Sequence, residues 1–178
     1  MTVRFQQLVA ENDSALLSTS MVASTYRSQG RWKEADELEV KVMEARVRVL
    51  GGEHLDTLVG IANLATTYRN QGRLKEAEKL EMKVIETSRR VLGREHPSTL
   101  TSMANIAATL CCQQRRKEAE GLMTEAAKAS RNMLGKTHPD MLARTSAYQQ
   151  IGGRYGLRTV EDNISTAALA GDEMGGWV

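Results

Sequence analysis

The chain has 178 residues, 26% of them charged and 41% hydrophobic, which is the profile of a soluble protein able to bury one continuous core. A net charge of +2, from 24 basic and 22 acidic residues, gives no general electrostatic footprint for nucleic acid or an anionic membrane. Aromatic residues make up only 4% of the chain, so stacked nucleic-acid bases are also not expected as ligands.

Residues 1–13 are predicted to form part of a helix that belongs to a preceding repeat. Leu8 lies in the same repeat position as Leu50, 42 residues further on (50 − 8). The segment is too polar for the apolar core of a signal peptide, and no apolar run approaches the roughly 20 residues that cross a bilayer. Because the two cysteines, Cys111 and Cys112, are adjacent, they build no disulfide framework, and a cytoplasmic location is expected.

Residues 14–140 are predicted to contain three copies of one structural repeat. The segment Leu-Gly-x-x-His occurs at Leu50–His54, Leu92–His96 and Leu134–His138, and each copy starts 42 residues after the previous one (92 − 50 and 134 − 92). The same shift aligns Lys-Glu-Ala at 33–35, 75–77 and 117–119. A fixed period of this size is typical of stacked helical repeats that bury a shared core.

Each repeat is predicted to form two helices, here called helix A and helix B. In the second repeat, helix A covers about 57–70 and helix B covers 73–92. Apolar residues recur on helix A at the spacing of one helical face. They are Leu58, Ile61, Leu64, Ala65 and Tyr68 on helix A, and Ala77, Leu80 and Val84 on helix B.

The predicted helix ends also recur in register. Each helix A has a residue that can accept a hydrogen bond at its N-terminal cap, and Pro97 and Pro139 are expected just outside that cap. The cap candidates are Ser14, Asp56, Ser98 and Asp140. Gly30, Gly72 and, less favourably, Gln114 are predicted to end helix A, whereas Gly51, Gly93 and Gly135 are predicted to end helix B.

Residues 141–178 depart from the pattern and are predicted to form a degenerate fourth repeat that covers the last apolar face, followed by a mobile tail. The repeat starts well at Asp140, but Gly152 and Gly153 replace residues that favour a helix. In the tail, Asp172, Glu173 and Trp177 form an acidic and aromatic segment that a groove on the same protein could bind.

These recurring positions resemble the tetratricopeptide repeat (TPR). The 42-residue period, longer than that of an ordinary TPR, and the motifs "QGRxKEAE" and "LGxEHPxTL" are similar to the kinesin-light-chain type of TPR. Near-identical repeats are also similar to the TPR regions of fungal nucleotide-binding signalling proteins. The resemblance implies an all-α, right-handed solenoid of antiparallel helix pairs. It also implies a protein-interaction module without enzymatic activity, in which helix A lines a concave groove.

No cofactor, metal or catalytic group is expected. His54, His96 and His138 recur once per repeat, so they lie too far apart to share one metal ion and are interpreted as turn residues. Gly135, Lys136 and Thr137 mimic the end of a phosphate-binding loop, but they follow a helix and lack its first glycine.

The groove prediction carries the family pattern onto this sequence by register. In the first repeat the groove residues are Ser20, Met21, Ser24, Arg27 and Ser28, and in the second they are Ala62, Asn63, Thr66, Arg69 and Asn70. In the third repeat they are Ala104, Asn105, Ala108, Cys111 and Cys112, with Arg154 further along. The alternative is that these side chains form an ordinary solvated helix surface.

Two side-chain types predict the chemistry of a ligand. Arg27, Arg69 and Arg154 could each hold a carboxylate in a forked pair of hydrogen bonds, and Asn63 and Asn105 could clamp a peptide backbone. The leading hypothesis is therefore a scaffold that binds an extended, partly acidic peptide. The alternative is a self-assembly or sensor segment of a larger intracellular signalling protein, associating through the array ends or the tail. A third function, RNA reading by helical repeats, is disfavoured by the near-neutral charge.

Overall fold

The computed structural model describes the backbone of residues 2–134 and of Gly153, and the side chains of residues 14–131. Within these residues the chain forms six helices and no strand, so the predicted all-α class is confirmed. The helices are α1 (Thr2–Ser28), α2 (Trp32–Leu50), α3 (Leu55–Asn70), α4 (Leu74–Val91), α5 (Pro97–Cys112) and α6 (Arg116–Leu134).

The helices pack as consecutive pairs, each pair being one repeat: α1 with α2, α3 with α4, and α5 with α6. The loops inside the pairs cover only residues 29–31, 71–73 and 113–115, which requires the paired helices to run antiparallel. Helix α2 also packs against α3, so the first two repeats share a core. The chain divides into two compact bodies, residues 1–91 and 92–178, and each is described by itself.

The core of the first body lies between α3 and its neighbours. Leu58, Ile61 and Val84 form a buried cluster against which Met43 and Leu80 pack. Leu64, Ala65 and Ala77 are also buried, which confirms the predicted apolar faces of helices A and B. Tyr68, predicted to be buried with them, is only half-buried, and the Arg73 guanidinium stacks on its ring at 3.7 Å from the ring centroid.

The core of the second body repeats this arrangement on α5 and α6. Leu100, Met103 and Ile106 of α5 are at most 1% exposed, and Met123 and Ala126 of α6 are at most 2% exposed. The predicted small contact residues are fully buried in all three repeats, because an alanine methyl lets the two backbones approach closely. They are Ala23 and Ala35, Ala65 and Ala77, and Ala107 and Ala119, all at 0% exposure.

The turn from helix A to helix B has the same hydrogen bonds in every repeat. In the second repeat Arg73 N–H donates to the Tyr68 carbonyl at 2.9 Å and Gly72 N–H donates to the Arg69 carbonyl at 3.0 Å, which is the Schellman arrangement. This turn needs a positive φ, which Gly30 and Gly72 adopt at 73° and 78°. Gln114 adopts a φ of 64°. This confirms the prediction that helix A of the third repeat ends at Gln114, a residue less suited than glycine to a positive φ.

The predicted starts of helix A are wrong by about two residues. Helices α3 and α5 are capped by His54 and His96, whose Nδ1 atoms accept the N–H of Asp56 at 3.2 Å and of Ser98 at 3.1 Å. An imidazole nitrogen satisfies the first-turn N–H here, so Asp56 and Ser98 lie inside the helix. Pro97, expected outside the cap, is the first helical residue, where its missing N–H costs nothing.

The predicted cap at Ser14 is also wrong, because α1 continues through it from Thr2 to Ser28. Gly51 and Gly93 have the positive φ predicted for the ends of helix B, at 89° and 93°. Gly135, Asp140, the fourth repeat and the tail lie outside the described residues, apart from Gly153.

Candidate binding surface

The predicted groove residues of the first two repeats form two rows, on α1 and on α3. On α1, Met21 is 72% exposed, Ser24 and Ser28 are exposed, and Arg27 is half-buried. On α3, Asn63, Thr66 and Arg69 are half-buried and Asn70 is exposed. These eight residues are called the helix-A surface below.

One contact shows that the two rows are neighbours. The Nη1 atom of Arg27 on α1 lies 3.5 Å from the backbone carbonyl oxygen of Asn63 on α3. Leu17, 53% exposed, precedes Met21 by one helical turn, and Val59, 46% exposed, precedes Asn63 in the same way. The sequence analysis missed both residues, although the 42-residue register places them in one column. The surface is therefore apolar towards the helix starts and polar towards their ends.

The guanidinium of Arg27 forms an ion pair within the chain. Its Nη1 atom lies 3.5 Å from Oε1 of Glu39 on α2, and its side chain is 21% exposed while that of Glu39 is 7% exposed. The other oxygen of Glu39 accepts a 2.6 Å hydrogen bond from the Thr67 hydroxyl of α3. Burial raises the pKa of Glu39 above its usual value, and the Thr67 hydrogen bond and the Arg27 charge oppose that rise.

Arg69 repeats the arrangement one period later. Its Nη1 atom lies 3.3 Å from Oε1 of Glu81 on α4, with side-chain exposures of 15% and 2%. Both arginines were predicted to hold ligand carboxylates, but each is paired with a carboxylate of the chain itself. The signal was present, because a glutamate follows each arginine twelve positions later (39 − 27 and 81 − 69).

The third repeat, on α5, carries the predicted positions with different chemistry. Asn105 is half-buried and Cys112 is exposed, as a surface position requires. Ala108 and Cys111 are buried at 6% and 7% exposure, so their assignment to an open groove is wrong. Burial, more than the neighbouring Cys112, raises the pKa of the Cys111 thiol. Arg154, the remaining predicted residue, lies outside the described residues.

A second polar cluster, which the sequence analysis did not assign, lies at the turns between helices A and B. The Arg31 and Arg73 guanidinium groups stack on the rings of Tyr26 and Tyr68, with 4.1 and 3.7 Å to the ring centroids. Arg115 has Leu110 in place of a ring. Each arginine follows the left-handed turn residue, which is the signal that the "QGR" motif carried.

Each of these arginines also forms an ion pair with the glutamate three residues later in the sequence. Arg73 Nε donates to Glu76 at 2.8 Å, and Arg115 Nε donates to Glu118 at 2.7 Å. This hydrogen bond raises the pKa of Arg73 and lowers that of Glu76. Arg73 Nη1 further donates to Asp36 of α2 at 2.9 Å. The cluster therefore fixes the turn of the second repeat to the preceding helix B.

Metal binding has no candidate in the described part of the chain. No group of three or more His, Cys, Asp or Glu side chains there could hold a metal ion. The Nδ1 atoms of His54 and His96 are engaged as helix caps. Among the described helices, none combines the length and the apolar character that a membrane crossing requires.

Comparison with known proteins agrees with this geometry. A family model described as tetratricopeptide repeat matches residues 14–89 and 59–132. No curated protein matches the sequence significantly. The fold is similar to a crystal structure of nearly identical TPR-like repeats from Podosopora anserina, named there as a kinesin light chain, with 28% identity and a TM-score of 0.68. That match covers 80% of this chain and 68% of the other.

Two further structures agree. A single-substitution variant of the Podosopora anserina repeats matches with 28% identity, a TM-score of 0.67, and 78% and 66% coverage of the two chains. BtubC (BKLC) from P. vanneervenii shares the fold at 17% identity, with a TM-score of 0.67 and coverage of 93% and 66%. This chain thus spans about two thirds of the length of these structures. TPR arrays indicate protein–protein interaction scaffolds. The family model, the paired helices and the 42-residue period together show that the chain belongs to the tetratricopeptide repeat family, with repeats of the kinesin-light-chain type.

Proposed function

We propose that this interaction scaffold binds an extended peptide segment along the helix-A surface of α1 and α3. The observation that carries the proposal is the pair of adjacent rows, joined at Arg27 and Asn63, in which exposed and half-buried side chains recur at one register. Small side chains such as Ser24, Ser28 and Thr66 leave room for a backbone to lie between the rows. A catalytic role is not part of this proposal.

The proposed role of Asn63 is to pair with the ligand backbone. A carboxamide donates through its NH₂ group and accepts through its oxygen, so it matches both groups of a peptide bond. Asn105 occupies the same position on α5 in the second body, and we assign it the same role there. Cys112, at the position of Asn70, is proposed to line the same surface. The contribution of Arg154 remains a prediction from the sequence.

The proposed preference for acidic residues rests on Arg27 and Arg69. A guanidinium has five N–H donors, so it can hold a second carboxylate beside the one from its own chain. The internal partners Glu39 and Glu81 hold each guanidinium in place, which reduces the entropy lost when a ligand binds. They also neutralise much of its charge, so we expect the preference to be modest.

The third repeat supplies a test of this preference. Its residues at the Arg27 and Glu39 positions are Cys111 and Met123, both buried. The double substitution Arg27→Cys with Glu39→Met therefore removes the charge and leaves a pair that this chain already packs. Calorimetric titration with an acidic peptide, and with its amide counterpart, should show that the double variant loses the discrimination between the two and also loses most of the salt dependence.

The location of the site is tested separately by Met21→Asp, because Met21 is the most exposed apolar residue of the surface. This change should weaken both peptides alike. If the double variant still prefers the acidic peptide, the electrostatic part of the proposal is wrong. If Met21→Asp leaves both affinities unchanged, the surface itself is wrongly assigned.

A second candidate function is a self-assembly or sensor segment of a larger intracellular signalling protein. The observation that favours it is the near identity of the repeats, a property also stated for the similar Podosopora anserina structure. Sedimentation of the purified chain over a wide concentration range separates the two functions. A monomer at every concentration, together with saturable peptide binding, favours the scaffold.

A further inference from the structure

Helix α1 exposes a face that the later repeats bury. Four positions spaced by three and four residues lie on one side of helix A, and in α3 they are Thr57, Gly60, Leu64 and Thr67, all buried. The equivalent residues of α5, Thr99, Ser102, Ile106 and Thr109, are also buried, at 0%, 7%, 1% and 0% exposure. On α1 the same positions are Ala15, Ser18, Val22 and Thr25, here called the open face, and all four are exposed.

The difference is largest on this one face, since Leu16 of α1 is still half-buried where Leu58 and Leu100 are buried. Ala23, which packs towards α2, is 0% exposed like Ala65 and Ala107 at the same position of the later repeats. Val22, one residue earlier, is 45% exposed where Leu64 is 2% exposed. Helix α1 therefore keeps the close alanine contact with its own helix B, whereas the side that α3 presents to α2 is uncovered on α1.

The contacts between α2 and α3 show what such a face binds. The Thr67 hydroxyl donates to the Glu39 carboxylate at 2.6 Å, and Met43, one turn after Glu39, packs on the Leu58 and Ile61 cluster. Arg46, one turn further, donates from Nη1 to the Asp56 carbonyl at 3.0 Å. The partner helix thus carries a glutamate, an apolar residue and a long or polar residue on one side.

Thr25 has the side chain for the first of these contacts and uses it differently. Its hydroxyl donates to the Met21 carbonyl of its own helix at 3.0 Å, whereas the hydroxyl of Thr67 donates to a carboxylate of the neighbouring helix. A threonine bonded back to its own helix makes the default contact of an exposed hydroxyl. It can turn to a carboxylate when one is presented, as Thr67 does.

The partner helix must come from outside the described helices of the same molecule. The face of α2 that fits α3 is already used, since Glu39 and Arg46 are 7% and 5% exposed. On α4 and α6 the equivalent residues are Glu81, Ser88, Met123 and Ser130, at most 2% exposed. A second copy of the chain therefore has no uncovered helix B in its described part.

We infer that the open face of α1 is a docking surface for an amphipathic helix of the α2 type on a partner polypeptide, with a glutamate that accepts from Thr25. This contact extends the α2–α3 interface by one repeat in the direction away from α3. It is independent of the proposed peptide site, because Met21 and Val22 point about 100° apart on α1.

The probe for this docking surface is a peptide of residues 32–50, which form α2, with both ends blocked. It is titrated into the intact chain and followed by the backbone amide signals in NMR spectra. We expect saturable shifts centred on the open face. Val22→Asp should weaken binding about tenfold or more, since it places a charge under the partner helix. Met82→Asp, at an exposed apolar residue of α4 outside both proposed surfaces, is the matched control and should change the affinity by less than about twofold.

The glutamate contact is tested by a double-mutant cycle. Glu39→Ala in the peptide, or Thr25→Val in the chain, should each weaken binding about threefold to tenfold, and the two together should cost no more than either alone. Circular dichroism checks that the variant chains remain folded. Both Val22 and Thr25 are exposed, so folding should survive.

Three results overturn the inference. The first is the absence of shifts on α1 at millimolar peptide. The second is a set of shifts centred on Gly60 and Thr67, which would mean that the peptide replaces α2 in its own site. The third is a concentration-dependent shift of the open face without peptide that Val22→Asp abolishes, because a second copy would then be the occupant.

Discussion

The first and third repeats carry different side chains at the same two positions between helix A and helix B. Where helix A of the first repeat carries Arg27 and its helix B carries Glu39, the third repeat carries Cys111 and Met123. The charged pair is separated by 3.5 Å and partly buried, and the neutral pair is buried at 7% and 2% exposure. Both members have changed together, so neither repeat leaves a charge alone in the core.

This difference shows what the ion pair contributes. Taking two charges out of water costs about as much free energy as their attraction returns, so a well-packed apolar pair can replace them without loss. Removing only one member is different, because it leaves an uncompensated buried charge. The guanidinium in the first repeat is therefore explained by its partly exposed position beside the proposed ligand site more readily than by stability.

The largest expected effect comes from breaking the pair in one repeat. Arg27→Ala leaves Glu39 buried beside Asp36 without its cation, and should lower the free energy of unfolding by about 2–3 kcal/mol, less than for a fully buried pair because Arg27 is 21% exposed. Arg27→Cys with Glu39→Met should cost less, about 1 kcal/mol, most of it from the lost hydrogen bond between Thr67 and Glu39. Urea denaturation of both variants checks this, with Arg48→Ala, an exposed arginine, as the control. Equal losses for the single and double variants would contradict the comparison.

The turn between helices A and B gives the second difference. Gly72 and Gln114 occupy the same place and have φ angles of 78° and 64°. Only glycine adopts such angles without steric cost. Gln114→Gly should therefore raise the free energy of unfolding by about 0.5–1 kcal/mol.

The opposite substitution, at the glycine of the second repeat, tests the same requirement for a positive φ. An added Cβ at Gly72 meets no atom within 4 Å, so Gly72→Ala tests the backbone angle alone and should cost about 1 kcal/mol. Thermal unfolding followed by circular dichroism measures both variants. A stabilising Gly72→Ala, or a destabilising Gln114→Gly, would show that the turn is not limited by φ.

Much of this architecture could be predicted from the sequence, because the features that produce it are local and repeated. The alanine columns, the apolar stripe from Leu58 to Ala65 and the turn at Gln114 all follow from helical spacing and from one 42-residue period. The helix starts were misplaced for an equally local reason. Aspartate and serine are preferred N-cap residues, whereas histidine is not. The sequence therefore predicted caps at Asp56 and Ser98 instead of at His54 and His96.

The pairing of side chains across helices could be predicted less well. Arg27 was assigned to the surface from its register, but the sequence alone did not show that Glu39 approaches it from the next helix. Cys111 was misassigned for the same reason, since its burial depends on how deeply α5 packs. The register gives the face of a helix, whereas the depth of each position on that face is set by its neighbours.

The aromatic position of the turn gives a smaller difference between repeats. Tyr68 holds the Arg73 guanidinium at 3.7 Å from its ring, whereas Leu110 occupies this position in the third repeat. Tyr68→Leu should cost about 0.5–1 kcal/mol, since cation–π contacts at partly exposed sites are weak. Tyr68→Phe keeps the ring and should cost less. Urea denaturation measures both variants, and equal costs would show that the ring face is not what matters.

The smallest effect, and the most diagnostic, is the pH dependence that Glu39 gives the first repeat and that Met123 cannot give the third. Burial raises the pKa of Glu39 above the 4.5 of an unperturbed glutamate, even though Arg27 and Thr67 oppose the rise. The folded state then binds a proton more readily than the unfolded state. The contribution of Glu39 to stability is full below pH 4.5 and is lost as the pH rises through the folded-state pKa.

Glu39→Gln removes this titration while keeping an acceptor for the Thr67 hydroxyl. The free energy of unfolding of the parent, minus that of the variant, should therefore fall as the pH increases from about 4 to 7. Urea denaturation at several pH values gives this difference directly. A difference that rises with pH would mean that the attraction of Arg27 exceeds the cost of burial. The pair would then stabilise the first repeat beyond what the cysteine and methionine do in the third.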